Sequence, residues 1–260
     1  MKASRLVVAR DKIAQGARAV AQESPIAFTY GRTTYAVMMA TPADLEDFAL
    51  GFSLTEGVIK APSEIAELEI VEHPRGMELR MTLCDDRDVA LMNRRRKLAG
   101  PVGCGLCGVE SLEAAIAPVR HVDSDIRIGR DEIFTALGRI GAHQTLNQET
   151  RAVHGAGFWR LGASDFAQVR EDVGRHNALD KLCGALKGDA RGGIVVLTSR
   201  VSIEMVQKSA AMNAAIVVAV SAPTALAIET AAEAGITLVA VARDDAFEVF
   251  THSHRIREVA

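Results

Sequence analysis

Aromatic residues are scarce in this chain, 4% of 260 residues with a single tryptophan, while 48% of the residues are hydrophobic. A core filled by alanine, valine and leucine suits helices packed on a mostly parallel sheet better than a β-sandwich, so an α/β fold is expected. Cysteine is sparse too. Four in a chain of this size are no disulfide framework, and each is read for packing, metal binding or reactivity. No apolar run approaches the roughly 18 residues that cross a bilayer; the longest, Ala214 to Val220, has strand length, so no membrane association is expected. Residues Met1 to Leu6 lack the apolar stretch of about 7–15 residues of a secretion signal, and a cytoplasmic location is expected. A formal charge of −3 gives no basic excess of the kind that phosphate-backbone binders carry, which argues against nucleic acid as a partner. There is no second Cys-x-x-Cys or His pair to complete a four-ligand zinc site, and neither His-x-Glu nor Pro-Cys-x-x-Cys, the signatures of zinc deaminases. No bound metal is expected, and deamination is set aside. No internal repeat is visible.

The patterning divides the chain into three stretches. Residues 1–100 read as a small α+β unit. Pro25 to Tyr30 and Thr33 to Met39 form a hairpin around Gly31-Arg32. A helix follows, capped by Thr41 with Pro42 at its first position, its apolar stripe being Leu45, Phe48, Ala49 and Phe52. Two strands, Leu68 to Val71 and Glu78 to Leu83, flank Pro74-Arg75-Gly76, and Asp85 to Lys97 reads as a helix. Residues 101–108, rich in glycine, are expected to be a mobile loop. Residues 109–260 read as an α/β domain, in which the β-branched runs Ile194 to Leu197 and Ile216 to Val220 each lead into a helix, as in a covered parallel sheet. Ile236 to Val241 adds a strand, and Phe247 to Thr251 an edge hairpin.

Three clusters could carry chemistry. Cys104-Gly105-Leu106-Cys107 fits a dithiol redox pair, half of a zinc site, or a sulfur carrier, the last requiring a thiolate on a movable arm. Arg94-Arg95-Arg96-Lys97 upstream could lower a thiol pKa, or simply complement a helix end. Cys183 shares a helical stripe with Leu179, Leu182 and Leu186 and reads as packing, as does Cys84 at a strand end. In Glu171 to Lys181 a glycine is followed by Arg175, His176 and Asn177 at a helix start, an arrangement that presents polar groups above a sheet. Thr198-Ser199-Arg200-Val201-Ser202 places hydroxyls, a guanidinium and free amides at the carboxyl end of a strand, where α/β proteins bind phosphorylated ligands. Ser221-Ala222-Pro223-Thr224 is a parallel loop beside it.

Taken in order, Cys104 to Gly108, Asp172 to Lys181, Ser199 to Lys208 and Ser221 to Thr224 resemble the formate dehydrogenase accessory sulfurtransferases, over most of the chain. The resemblance implies that a cysteine desulfurase loads sulfur on Cys104 as a persulfide, with Cys107 assisting, and that the sulfur reaches the molybdenum bis-molybdopterin guanine dinucleotide cofactor before its insertion into formate dehydrogenase. It further implies a cytidine-deaminase-like three-layer domain, a homodimer, and a pocket in each protomer that GDP-like nucleotides can occupy. Arg175, His176, Ser199, Arg200 and Ser202 would hold the cofactor's phosphate and pterin ends, and Val241, Ala242, Arg243, Asp244, Asp245 and Ala246 would form a further contact segment. A chaperone that binds this cofactor without handling sulfur is the alternative.

Overall fold

The computed structural model describes residues 1–84, 119–243 and 245–257. The helix expected at 85–97 and the cysteine loop lie outside the described residues. An N-terminal hairpin, β1 (Lys2–Val8) and β2 (Ile13–Ala19), forms a two-stranded sheet of its own among the described residues. The expected hairpin follows as β3 (Ser24–Tyr30) and β4 (Thr33–Ala40), then α1 (Leu45–Thr55), β5 (Ile65–His73) and β6 (Gly76–Leu83). These strands form one sheet in the order β4-β3-β6-β5, with β3 and β6 parallel because α1 carries the chain across. Phe48, Ala49 and Phe52 of α1 close its core, Phe28 stacking on Phe52 at a centroid distance of 4.0 Å.

The expected start of α1 is displaced. Thr41 does not cap it; the helix begins at Leu45, after Asp44 in left-handed backbone at φ 52°. Thr41 instead faces the second unit. Its N–H donates to Asp172 Oδ2 (3.0 Å), its hydroxyl accepts from Val173 N (3.2 Å), and its carbonyl accepts from Lys181 Nζ (2.8 Å).

The second unit contains β7 (Ile128–Gly129), α2 (Arg130–Ile140), α3 (Thr145–Thr150), β8 (His154–Arg160), β9 (Gln168–Asp172) and α4 (Arg175–Ala185). It continues with β10 (Gly193–Leu197), α5 (Ile203–Ala211), β11 (Ile216–Ala219), α6 (Ala225–Glu233), β12 (Thr237–Ala240), β13 (Glu248–Val249) and β14 (Ile256–Arg257). Its main sheet has the order β13-β12-β11-β10-β8-β9. The expected parallel core is β10-β11-β12, but β8 and β13 join it antiparallel, so the sheet is mixed. One face packs against α4, α5 and α6 through residues such as Leu179, Met205 and Ala231, and the other against α2 through Ile133 and Ile140. Helices therefore cover both faces, and the central strands are buried throughout.

Helices α1 and α4 join the two units by direct backbone contact. A Cβ on Gly51 would sit 1.7 Å from the carbonyl oxygen of Asp180, and one on Gly184 1.9 Å from that of Asp47. Only glycine permits this approach. Beside the crossing, Lys208 Nζ reaches Asp180 (2.9 Å), Glu56 (2.8 Å) and the Thr55 hydroxyl (3.1 Å).

Candidate functional site

The sheet's registers bring its loops to one end. Strands β10, β11 and β12 run parallel, so residues 198–202, 220–224 and 241–243 all leave the same edge. Each loop is hydrogen-bonded to the strand or loop before it: Val220 N to Leu197 O (2.9 Å), Val241 N to Ser221 O (3.2 Å) and Ala242 N to Ala219 O (3.1 Å). Because β8 is antiparallel to β10, its first residue, His154, lies at this edge; β9, antiparallel in turn, ends there at Asp172, opposite His154. Thr198 locks the junction, its hydroxyl accepting from Gly155 N at 2.8 Å and its N–H donating to Gly155 O at 3.0 Å. With strands about 4.8 Å apart, the lip from β9 to β12 spans roughly 19 Å.

The Asp172-to-Lys181 motif divides into two functions. Asp172 and Lys181 form a fully buried ion pair at 2.7 Å. Asp172 Oδ1 also accepts from Gly174 N (2.8 Å) and Asn177 Nδ2 (2.9 Å), and Asn177 Nδ2 donates to Met39 O (2.9 Å). Asp172, Asn177, Asp180 and Lys181 thus bind the two units together, and only Arg175 and His176 are left for the lip. There His176 Nε2 lies 2.9 Å from Glu204 and 3.5 Å from the Ser202 hydroxyl, which itself donates to Glu204 at 3.2 Å. The His176 hydrogen bond, ahead of the charges of His176 and Arg175 and against burial, holds the Glu204 carboxyl down to about 2. Arg200 is exposed, and Arg175 Nε is buried without a hydrogen-bond partner among the described residues.

His154 completes the cluster. Burial, then the positive charges of Arg175, His176 and Arg200, lower its pKa against the opposing pull of Asp172, which favours a neutral imidazole among cations. Sequence reasoning missed it because no motif marks it; only its register opposite Asp172 reveals its place. The lip therefore gathers two guanidiniums, two imidazoles and the N-termini of α4 and α5, a combination that suits anionic oxygens.

Other expected site residues are placed less simply. Ser199 is buried, its hydroxyl turned onto the carbonyl of Arg200 at 3.0 Å. Thr224 caps α6 by accepting from Ala227 N at 3.2 Å. In the segment after β12, Ala242 is buried in the core, while Arg243, Asp245 and Ala246 are exposed and Arg243 N closes a turn onto Ala246 O at 2.9 Å. Val241 has φ 52°, a conformation that a β-branched residue adopts only under constraint and that concentrates at ligand sites. Cys104, Cys107 and Asp244 lie outside the described residues. Cys183 is packing as expected, burial pushing its thiol up to about 12. Cys84 is half-buried and donates to Ser63 O at 3.4 Å. A cavity of about 420 Å³ between the N-terminal hairpin and α3 is lined by none of the expected site residues. Among the described residues no helix is long and apolar enough to cross a membrane, and no group of three or more His, Cys, Asp or Glu residues could hold a metal.

Known proteins similar to this chain fall into one group. The sulfur carrier protein FdhD of Agrobacterium fabrum is 55% identical over 247 residues, covering 94% of this chain and 91% of its own. The protein of the same name from Cupriavidus necator is 46% identical, covering 93% and 84%. A crystallised protein of Desulfotalea psychrophila, described as a formate dehydrogenase accessory protein, superposes with a TM-score of 0.75 at 27% identity and 99% coverage of both chains. Residues 21–257 match the FdhD/NarQ family, and the chain belongs to that family.

Proposed function

We propose that this protein is a sulfur carrier in the maturation of formate dehydrogenase, with Cys104 holding the sulfur as a persulfide. The Cys104 thiolate attacks the terminal sulfur of a desulfurase persulfide; a new S–S bond forms, the old one breaks, and the desulfurase cysteine leaves as thiolate, with no net oxidation. Cys107 assists release. The acceptor is the molybdenum bis-molybdopterin guanine dinucleotide cofactor, handled as substrate. Its phosphates rest on Arg175, His176, Arg200 and Ser202, with His154 beside them, and the segment Val241 to Ala246 serves a second part of the same large ligand.

The observation that carries this reading is the convergence of two separate sequence motifs, Asp172 to Lys181 and Ser199 to Lys208, on one cationic lip at the carboxyl end of the sheet. The names of the relatives, sulfur carrier and formate dehydrogenase accessory protein, support it. We read the three-layer domain as cytidine-deaminase-like, the assembly as a homodimer and the location as cytoplasmic. In cells lacking their own copy, Cys104→Ala should leave formate dehydrogenase activity at background; full activity from that variant would remove sulfur carriage and leave a cofactor-binding chaperone.

A further inference from the structure

Glu204 is the one carboxylate among the described residues that contacts the lip's own side chains. It is the second residue of α5, where an acidic group complements the helix dipole, but that role needs no partner outside the helix. Glu204 has two. His176, from α4, and Ser202 both converge on it, at 2.9 and 3.2 Å, so two of the lip's candidate ligand donors are occupied by the protein's own anion. The other acidic group at this edge, Asp172, is committed to Lys181 at 2.7 Å and lies fully buried.

Glu204 is held where it can let go. Half of its side chain is exposed, so an outward rotation reaches water directly, and an ion pair this exposed is a weak restraint. One negative charge faces His176 and Arg175, while Arg200, also on the lip, remains exposed. A group carrying two negative charges gains more from these cations than the carboxylate does.

We propose that Glu204 is a built-in counter-anion of the lip, filling the position of an incoming nucleotide phosphate and swinging away when that phosphate binds. This rests on the reading of the lip as a phosphate site and adds to it the residue that sets its threshold. While Glu204 is in place, His176 and Ser202 are aligned and weakly bound monoanions are kept out; a nucleotide diphosphate displaces it.

The test is calorimetric titration of the full-length protein with GDP and with inorganic diphosphate. Glu204→Gln keeps the size and an oxygen that can accept from Ser202 and His176, so it removes charge alone, and its exposed position leaves folding intact. Both ligands should bind roughly tenfold tighter to Glu204→Gln than to the natural protein, the gain expected when a like charge a few ångströms away is removed. GDP should bind tighter than diphosphate in both. Unchanged or weaker binding to Glu204→Gln overturns the counter-anion role, and GDP binding no tighter than diphosphate overturns the nucleotide assignment. The phosphate-site reading fails separately: Arg200→Ala, altering an exposed side chain, should bind GDP more weakly than the natural protein does, and no difference there would refute the lip itself.

Discussion

Replacing Gly184 by alanine tests how the two units are joined. The added Cβ would lie 1.9 Å from the Asp47 carbonyl oxygen and 2.6 Å from its carbon, both backbone atoms of α1 that cannot rotate aside. To reach even a tight contact of about 3.2 Å the helices must part by more than about 1 Å. Overpacking of this kind costs about 1–3 kcal/mol. The same displacement stretches the 2.6 Å hydrogen bond from Thr55 to Asp180, worth about 1 kcal/mol. Alanine returns about 1 kcal/mol through its better helix propensity. The net loss should be about 1–3 kcal/mol, read in urea unfolding as a midpoint lower by about 0.5–1.5 M. Once the helices have parted, a methyl at Gly51 meets less resistance, so the double variant Gly51→Ala/Gly184→Ala should lose less than the two single variants together. A midpoint for Gly184→Ala equal to or above that of the natural protein would refute the backbone contact.

Two further outcomes follow from the charges. Lys181→Met leaves Asp172 charged and buried and should cost about 3–5 kcal/mol in chemical denaturation; a loss below about 1 kcal/mol would mean that Thr41, Gly174 and Asn177 suffice to hold the carboxylate. Glu204 has a folded-state pKa of about 2, below its ordinary 4.5, so its stabilising contribution is present above about 4.5 and is lost as pH falls toward 2. The stability difference between the natural protein and Glu204→Gln should therefore shrink across that window; a difference that does not vary with pH would show that His176 gives Glu204 no net stabilisation.

Much of the fold was legible because its patterns are local. The β3–β4 hairpin, the aromatic stripe of α1 and the alternation from β10 to β12 follow from side-chain periodicity and are found where expected. Strand β8 gave no such signal. Its Gly155 and Gly157 lie under Gln144 and Phe166, where a Cβ would meet side-chain atoms at 2.4 and 2.7 Å, so tertiary packing chose residues that by themselves read as loop. The N-terminal hairpin is mostly exposed and carries no buried face to set a pattern. In the candidate site, polarity located the Asp172-to-Lys181 motif but could not separate its docking residues from Arg175 and His176, because a charge in sequence does not name its partner. Thr41 is the same case in reverse. A residue with the chemistry of a helix cap hydrogen-bonds to residues 131 to 140 positions away.

The most direct test of sulfur carriage is mass spectrometry of the protein after incubation with a cysteine desulfurase and cysteine, followed by digestion without reductant. The account predicts one added sulfur on the peptide containing Cys104 and Cys107, lost in Cys104→Ala. Added sulfur that persists in that variant, or none on the natural peptide despite an active desulfurase, would contradict it.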